Sequence, residues 1–256
     1  MLTIHAITAF DDNYIWFIQA ENSTGVLIVD PGDAAPAIEA IKKLKLDPVA
    51  ILITHGCHDH VDGIAELLSH YELPVYGPSN EFIPHLSHAL TQGDTFTISD
   101  EFPEINVLDI PGHTRGHIGF VIEDKLFCGD TLFAAGCGRT HGGQPEVLFT
   151  SLEKIANLPE QTQIYCAHEY TAANLRFAET VEPNNSHIQQ RIIDTKSLRQ
   201  QAKPTIPFSL ALELKTNPFL RCGEVEVVKA AEQQLGERVN SKAATFRTLR
   251  AWKDRF

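Results

Sequence analysis

The chain lacks the features that mark several large protein classes. No stretch approaches about 18 uninterrupted apolar residues, and the first residues contain neither a basic segment nor an apolar signal core. There is no block of Lys or Arg, and the formal net charge is −12. These absences argue against a membrane span and against nucleic acid or an anionic membrane as partner. We expect a cytoplasmic protein.

Cysteine pairs are also lacking. The five cysteines are odd in number, widely spaced and form no Cys-x-x-Cys motif, so a disulfide framework is not expected. We expect all of them to be reduced. Cys128 and Cys166 lie in apolar, strand-like segments and should be inert core residues.

What the chain does contain is a dense group of potential metal ligands. Five of the six residues from His55 to His60 are His, Cys or Asp, and they follow an apolar, β-branched stretch, Val49–Ile53, that predicts a buried strand. Imidazole, thiolate and carboxylate together suit zinc, and also iron or manganese. The density suggests two ions. A polar turn that caps the following helix is the plainer interpretation, and this segment alone leaves it open.

Three more strand ends repeat the arrangement. His113 follows a predicted strand (Asn106–Ile110) in a turn with Pro and Gly, and Asp130 and His168 each follow a short apolar strand. Alone, each would more often be a turn residue or a satisfied core residue. Their recurrence favours a shared site at the carboxyl ends of the strands.

The first two-thirds of the chain alternates strand-like and helix-like segments, and helical periodicity dominates after about Tyr170. Mixed sheets covered by helices, an α/β fold, are the expected packing. Strands are predicted at Leu2–Ile7, Tyr14–Gln19, Gly25–Val29, Val49–Ile53, Pro74–Tyr76, Asn106–Ile110, Gly119–Ile122, Lys125–Cys128 and Gln163–Cys166. Helices are predicted at Ala35–Leu44, Val61–Tyr71, Glu146–Ala156, Ala172–Thr180, His187–Ala202, Glu224–Leu235 and Ser241–Asp254.

The ligand blocks resemble the metallo-β-lactamase superfamily, and the match is closest to the glyoxalase II family, the hydroxyacylglutathione hydrolases. The resemblance implies an αββα sandwich in a catalytic domain, residues 1–169, followed by a small all-helical substrate-binding domain, residues 170–256. The supporting segments are Phe10-Asp11-Asp12-Asn13-Tyr14, Val29-Asp30-Pro31-Gly32-Asp33, Pro111-Gly112-His113-Thr114, Cys128-Gly129-Asp130-Thr131-Leu132-Phe133, Gly136-Cys137-Gly138-Arg139, Ala167-His168-Glu169-Tyr170-Thr171 and Arg250-Ala251-Trp252-Lys253-Asp254.

The resemblance also implies a binuclear centre for two divalent ions, with zinc expected first and iron or manganese as alternatives. Such a pair lowers the pKa of a bridging water from about 15.7 to about 7 and supplies hydroxide to a thioester carbonyl. A departing thiolate has a conjugate-acid pKa of about 8.5, so no Ser-His-Asp or Cys-His triad is needed. Asp59 and Asp130 are the implied catalytic residues. By the resemblance, metal 1 takes His55, Cys57 and His113, metal 2 takes Asp59, His60 and His168, and Asp130 bridges both.

Glutathione presents two carboxylates, which calls for cations in the substrate site. The resemblance assigns substrate binding to Arg139, His141, Tyr170, Arg250 and Lys253. A plainer alternative for Arg250 and Lys253 is that both are solvated charges that stabilise the end of a helix through its dipole. His58 and His117 flank ligand positions and are either partners of the ligands or plain turn residues.

Three positions depart from the family pattern. Cys57 stands where the family has His, Asp62-Gly63 stands where it has Gly-Gly, and His141 stands where an aromatic residue is common. Cys57 is either a thiolate ligand of metal 1 or a neutral thiol turned away from it, and both remain open. The other two departures bear on backbone shape and substrate fit.

The function implied is that of a thioester hydrolase: cleavage of S-D-lactoylglutathione and other S-(2-hydroxyacyl)glutathiones to glutathione and a 2-hydroxy acid, as in methylglyoxal degradation. The partner would be a small-molecule glutathione thioester, and the protein a monomer. One alternative is a mononuclear iron oxidoreductase like persulfide dioxygenase, with His55, His113 and Asp130 as a facial triad. Another is a non-catalytic binder of glutathione conjugates. Retention of Asp59, His60 and His168 and the length of the C-terminal domain argue against the oxidoreductase, and survival of six of the seven family ligand positions argues against the binder.

Overall fold

The computed structural model describes residues 2–141 and 144–256. The chain divides into two compact units. One comprises the residues up to Asp109 with Thr114–Gly129, and the other comprises Ile110–His113 with Asp130–Phe256. Within the described residues, no helix is both long enough and apolar enough to cross a membrane.

The first unit contains a six-stranded sheet whose strands follow one another in chain order. The first three strands are antiparallel to each other, and the third to the sixth run parallel. The third strand is buried along its whole length, as continuous apolar runs in covered strands predict. The strands are β1 (Thr3–Ala9), β2 (Asn13–Gln19), β3 (Gly25–Val29), β4 (Asp47–Leu52), β5 (Val75–Pro78) and β6 (His88–Leu90).

Three helices lie between these strands: α1 (Ala34–Leu44), α2 (His58–Val61) and α3 (Ile64–His70). α1 begins at an N-cap, Asp33, whose carboxylate accepts a hydrogen bond from the Ala35 amide at 3.0 Å. Its apolar residues recur every three or four positions and pack into the core of the first unit. α1 therefore connects the parallel strands β3 and β4 and buries its apolar face in the core, as the helix of a β-α-β unit does.

The single helix predicted at Val61–Tyr71 is wrong. The structure has two helices, α2 and α3, with a break at Asp62-Gly63. The Gly63 amide donates to the Pro31 carbonyl at 3.0 Å, and a Cβ on Gly63 would lie 2.4 Å from that oxygen. Two backbone segments thus meet at Gly63, and only glycine fits. Asp62 is exposed, so the departure from Gly-Gly falls at the position that tolerates a side chain.

The first unit also contains four antiparallel strands of a second sheet, in the order β10-β9-β8-β7. They are β7 (Thr95–Phe96), β8 (Ile105–Asp109), β9 (Ile118–Ile122) and β10 (Lys125–Gly129). β10 ends at Gly129, whose φ of +47° is left-handed. A Cβ there would lie 2.3 Å from the Thr54 hydroxyl oxygen, so glycine lets β10 end against the segment that follows β4.

The second unit is mostly helical. Two short antiparallel pairs, β11 with β12 and β13 with β14, accompany its helices. Its aromatic core groups Phe177 with Phe219 and Trp252, at ring-centroid distances of 5.9 and 5.3 Å. The elements are β11 (Leu132–Phe133), β12 (Gly136–Cys137), α4 (Pro145–Ala156), β13 (Gln163–Cys166), α5 (Thr171–Val181), α6 (Ser186–Gln200), β14 (Phe208–Ser209), α7 (Leu210–Thr216), α8 (Val225–Leu235) and α9 (Lys242–Lys253).

Apart from the broken helix, each predicted strand and helix is present, with ends shifted by up to two residues. The elements that periodicity did not reveal are short: β6, β7, β11, β12, β14, α2 and α7. Segments of this length do not complete enough turns or alternations to show a pattern. Three of them, α2, β11 and β12, contain predicted ligand residues or follow one closely in the chain.

Candidate metal centre

The ligand-rich segment follows β4, as the sequence predicts, but its second half is helical. His55 and Cys57 lie in extended backbone after the strand, and Cys57 occupies the N-cap position of α2. Asp59 and His60 lie in the first turn of α2. His55 and His60 are fully buried and their rings lie 4.1 Å apart.

The buried carboxylate of Asp30, directly after β3, organises this segment. Its Oδ1 accepts from the Thr54 amide at 2.7 Å, and its Oδ2 accepts from the Thr54 hydroxyl at 2.7 Å. The same Oδ2 lies 3.1 Å from Nδ1 of His60. One carboxylate therefore connects the ends of β3 and β4 with α2.

These hydrogen bonds determine the tautomers of two histidines. Because the Thr54 hydroxyl donates to Asp30, its oxygen accepts from Nδ1 of His55 at 3.0 Å. His60 likewise donates through Nδ1 to Asp30. Both rings then present the lone pair of Nε2, the arrangement that metal-binding histidines have in proteins. Ligand atoms of Asp30, His55 and His60 lie within 4.8 Å of one another.

His117 and His58, whose roles the sequence left open, differ in placement. His117 is fully buried and stacks on His55 at 4.4 Å with an interplanar angle of 18°. It contacts a predicted ligand and is no plain turn residue. The side chain of His58 is 93% exposed and lies 3.2 Å from Asp62.

Asn13 is a contact of the ligand segment that sequence reasoning did not assign. Its side-chain amide donates to Oδ2 of Asp59 at 2.9 Å and to the Asp59 carbonyl at 3.4 Å. Gly32 approaches the same carbonyl so closely that a Cβ would lie 1.8 Å from it. Both residues belong to motifs that carry the family resemblance, which was the only signal for them.

In the second unit, Asp130 lies between two histidines. Its Oδ2 is 3.5 Å from Nε2 of His113, and its Oδ1 is 3.3 Å from Nε2 of His168. Nδ1 of His113 donates to the Arg139 carbonyl at 2.9 Å, so Nε2 carries the lone pair that faces the carboxylate. Two acceptor atoms, Nε2 of His113 and Oδ2 of Asp130, thus face each other, an arrangement that suits a cation between them. Asp130 also directs one oxygen toward each imidazole, as a carboxylate that bridges two ions would.

The predicted substrate residues also lie in the second unit. His141 meets His113 edge to face at 4.7 Å, and Tyr170 stacks on His168 at 4.7 Å. Arg139 is largely exposed, and its Nε lies 3.9 Å from Asp254. Arg250 and Lys253 follow in α9 and differ strongly in accessibility.

Arg250 is buried and already hydrogen-bonded. Its Nη1 donates to the carbonyls of Cys137 and Gly138 at 3.0 and 3.3 Å, and its Nη2 donates to Asp254 at 3.0 Å. Lys253 is half-buried, and burial together with the charge of Arg250 lowers its pKa to about 8. Lys253 is therefore the more available cation of the two.

The chain is similar to known proteins over its whole length. Residues 9–168 match the family described as the metallo-beta-lactamase superfamily, and residues 169–256 match the hydroxyacylglutathione hydrolase C-terminus. The chain belongs to the hydroxyacylglutathione hydrolase family. A protein of Nitrosomonas europaea named hydroxyacylglutathione hydrolase is 44% identical over all of this chain and 97% of its own. One of the same name in Alkalilimnicola ehrlichii is 48% identical over 99% of each chain.

A solved structure shows the fold alone. ETHE1 from Myxococcus xanthus superimposes with a TM-score of 0.66 over 99% of this chain and 98% of that chain, at 20% sequence identity. The resemblance to the hydroxyacylglutathione hydrolases and the predicted metallo-β-lactamase fold, an αββα sandwich with a helical C-terminal region, are confirmed. The family and the imidazole and carboxylate clusters also support divalent-metal binding.

The C-terminal residues of this family member hold the backbone between Asp130 and Arg139. Four side chains, three from helices and one from the residue that follows α7, bind residues 133–138. Asn217, after α7, donates to the Phe133 and Gly136 carbonyls, Asn174 donates to the Ala134 carbonyl, Glu213 accepts from the Ala135 amide, and Arg250 donates to the Cys137 and Gly138 carbonyls. This segment leads directly to the Arg139 carbonyl, which accepts from His113. The helices thereby fix the orientation of a predicted ligand.

We predict that Asp30→Asn weakens metal binding by about 10–100-fold, the usual cost of losing a hydrogen-bond partner of the ligands. An amide in place of the carboxylate turns an NH₂ group toward donors of Thr54 or His60. Competition with a chelator measures the metal dissociation constant. Asp33→Asn, three residues later, is the matched control, because Asn caps a helix as well as Asp does. Equal metal affinity in both variants would contradict the role given to Asp30.

Proposed function

We propose that this protein hydrolyses S-(2-hydroxyacyl)glutathiones, with S-D-lactoylglutathione as the reference substrate, to glutathione and a 2-hydroxy acid in methylglyoxal degradation. The observation that carries the proposal is the full-length similarity to relatives named hydroxyacylglutathione hydrolase, with the matching C-terminal family model. Neither an iron oxidoreductase nor a non-catalytic binder is favoured, because the relatives that match end to end carry the hydrolase name.

Two divalent ions, zinc first, with iron or manganese as alternatives, are the proposed cofactors. His55, Cys57 and His113 would hold one ion, Asp59, His60 and His168 the other, and Asp130 both. The support is the family, the Nδ1 hydrogen bonds of His55, His60 and His113, and the two-sided position of Asp130. When bound, such ions polarise a carbonyl oxygen and make hydroxide available at neutral pH.

The protein's own groups orient these ligands and bind the substrate. Asp30 and the Arg139 carbonyl hold three imidazoles in the metal-binding tautomer. Asn13 holds Asp59, which with Asp130 is a proposed catalytic residue. Cleavage of a thioester releases a thiolate that leaves without a general acid, since its conjugate-acid pKa is about 8.5.

Glutathione would be bound by Arg139, His141, Tyr170, Arg250 and Lys253. Lys253 is proposed to contact the glycine carboxylate, because its ammonium is half-buried and its donation to the Ala173 carbonyl is long, 3.4 Å. Arg250 adds a buried positive charge to this subsite while its Nη atoms stay on protein acceptors. We place this subsite in the proposed C-terminal domain, residues 170–256.

The proposal also covers the binding partner, the location and the oligomeric state of the protein. The partner is a small-molecule glutathione thioester rather than nucleic acid or a membrane, which a net charge of −12 without basic blocks supports. None of the five cysteines forms a disulfide in the described part of the chain, which supports a reducing, cytoplasmic location. The protein is proposed to act as a monomer.

The first test is hydrolysis of S-D-lactoylglutathione by metal-loaded protein. We expect turnover well above buffer, and we expect Asp130→Asn to lose both bound metal and activity, since a ligand of two ions is weakened. Asp62→Asn, an exposed change beside α2, is the control and should retain both. Rates at the level of buffer in the fully metallated wild type would reject the proposed function.

The second test concerns Cys57. A thiolate is softer than imidazole and favours zinc over manganese. We therefore expect Cys57→His to bind manganese relatively better than the wild type does, and Cys57→Ala to retain less metal than either. Metal analysis after dialysis against equal zinc and manganese measures this. Wild-type metal content in Cys57→Ala would remove Cys57 from the ligand set.

The third test uses the pKa of Lys253, which is lowered to about 8 from 10.5 by burial and by the neighbouring Arg250, Arg176 and Arg139. The ammonium that binds a carboxylate is then present below about pH 8 and lost above it, so kcat/KM should fall through that range, mainly through KM. Lys253→Arg keeps its charge and should remove this alkaline limb. The same limb in both proteins would contradict Lys253 as the contact.

A further inference from the structure

Glu81 bridges two glycine amides beside the proposed ligands. Its Oε2 accepts from the Gly56 amide at 2.6 Å, and its Oε1 accepts from the Gly116 amide at 2.8 Å. Gly56 lies between His55 and Cys57, and Gly116 immediately precedes His117. A single half-buried side chain thus joins the two segments that bring His55 and His117 together.

The sheet topology places Glu81 at this point. β4 and β5 are neighbouring parallel strands, so their carboxyl ends lie at the same sheet edge. The ligand segment follows β4, and residues 79–87 follow β5. A side chain from the second connection can therefore reach the backbone of the first, although 25 residues separate Glu81 from Gly56.

Close packing around both glycines supports the same arrangement. A Cβ on Gly56 would lie 2.9 Å from the Phe82 carbonyl oxygen, and a Cβ on Gly116 would lie 2.7 Å from Cγ of Glu81. Real Cβ contacts do not reach these distances without a shift of the neighbouring atoms. Residues 80–82 therefore lie directly against both glycines, and the two hydrogen bonds of Glu81 belong to a packed contact.

The two segments that Glu81 joins also contact each other. The Ile118 amide donates to the Thr54 carbonyl at 2.9 Å, and the His117 ring stacks on the His55 ring at 4.4 Å. Gly56 separates two proposed ligands, His55 and Cys57. Without a hydrogen bond it could adopt several backbone conformations, because glycine has the widest conformational range. The hydrogen bond from the Gly56 amide to Glu81 restricts that range between the two proposed ligands, and the hydrogen bond from the Gly116 amide holds the Glu81 carboxylate in place.

We propose that Glu81 is a positioning residue for the metal ligands His55 and Cys57, which it acts on through the Gly56 amide. The proposal rests on the proposed function, in which both residues hold metal 1. A sulfur ligand binds zinc at about 2.3 Å and a nitrogen ligand at about 2.0–2.1 Å, so small backbone shifts at Gly56 misplace one ligand or the other. Glu81 does not itself contact the ion.

The experiment compares Glu81→Ala and Glu81→Gln with the wild type. Glu81→Ala loses both hydrogen bonds, and Glu81→Gln keeps one acceptor oxygen. We expect the affinity for one of the two ions, measured by chelator competition, to fall about 10–100-fold in Glu81→Ala and by an intermediate factor in Glu81→Gln. The sulfur-to-cobalt charge-transfer absorption of the cobalt-loaded protein, which reports Cys57, should weaken in the same order.

Excess metal should restore most of the activity of Glu81→Ala, which a general loss of folding would not allow. Glu66→Gln, an exposed change in α3, is the matched control and should behave as the wild type does. If Glu81→Ala does not fold, Gly116→Ala, which forces Glu81 away with its carboxylate intact, should show the same loss of metal affinity.

Wild-type metal constants and cobalt absorption in a folded Glu81 variant, or in Gly116→Ala should Glu81→Ala not fold, would overturn the proposal. In that case the wild type still hydrolyses the thioester and the proposed function stands. A wild type that holds no metal would overturn both.

Discussion

The buried carboxylate of Asp30 makes the interactions on which the arrangement of the predicted ligands in the first unit depends. It accepts from the Thr54 amide and hydroxyl and from His60, and through the Thr54 hydroxyl it also orients His55. A buried carboxylate without donors would be costly, so these hydrogen bonds stabilise the fold and orient the ligands at once. Family resemblance marked the segment around Asp30, but only the structure shows what it binds.

Backbone groups orient the predicted ligands as much as side chains do. The Arg139 carbonyl determines the tautomer of His113, and the Gly56 amide is held by Glu81. The Pro31 carbonyl accepts from the Gly63 amide just after the end of α2, the helix that contains Asp59 and His60. These contacts require close backbone approach, which explains glycine at positions 56 and 63. Substitutions several residues away from a ligand are therefore expected to affect metal binding.

The three departures from the family pattern lie in different structural environments. Asp62 is exposed and needs no compensation, whereas Gly63 beside it is packed against Pro31. His141 retains an aromatic contact, edge to face with His113. Cys57 replaces the family's His at a proposed ligand position. The expected effect of this replacement is therefore on metal preference and not on the fold.

The sequence by itself determined the α/β class, nearly all the longer elements, the family and the candidate ligands, because apolar periodicity and compact motifs are local properties of the chain. It did not reveal the contacts of Glu81 and Asn13, or the hydrogen bonds from Asn174, Glu213, Asn217 and Arg250 to the backbone of residues 133–138. These residues are 25 to 113 positions from the groups that they bind. Only the tertiary structure decided these pairings, because hydrogen-bond partners distant in sequence are chosen by strand order and helix packing.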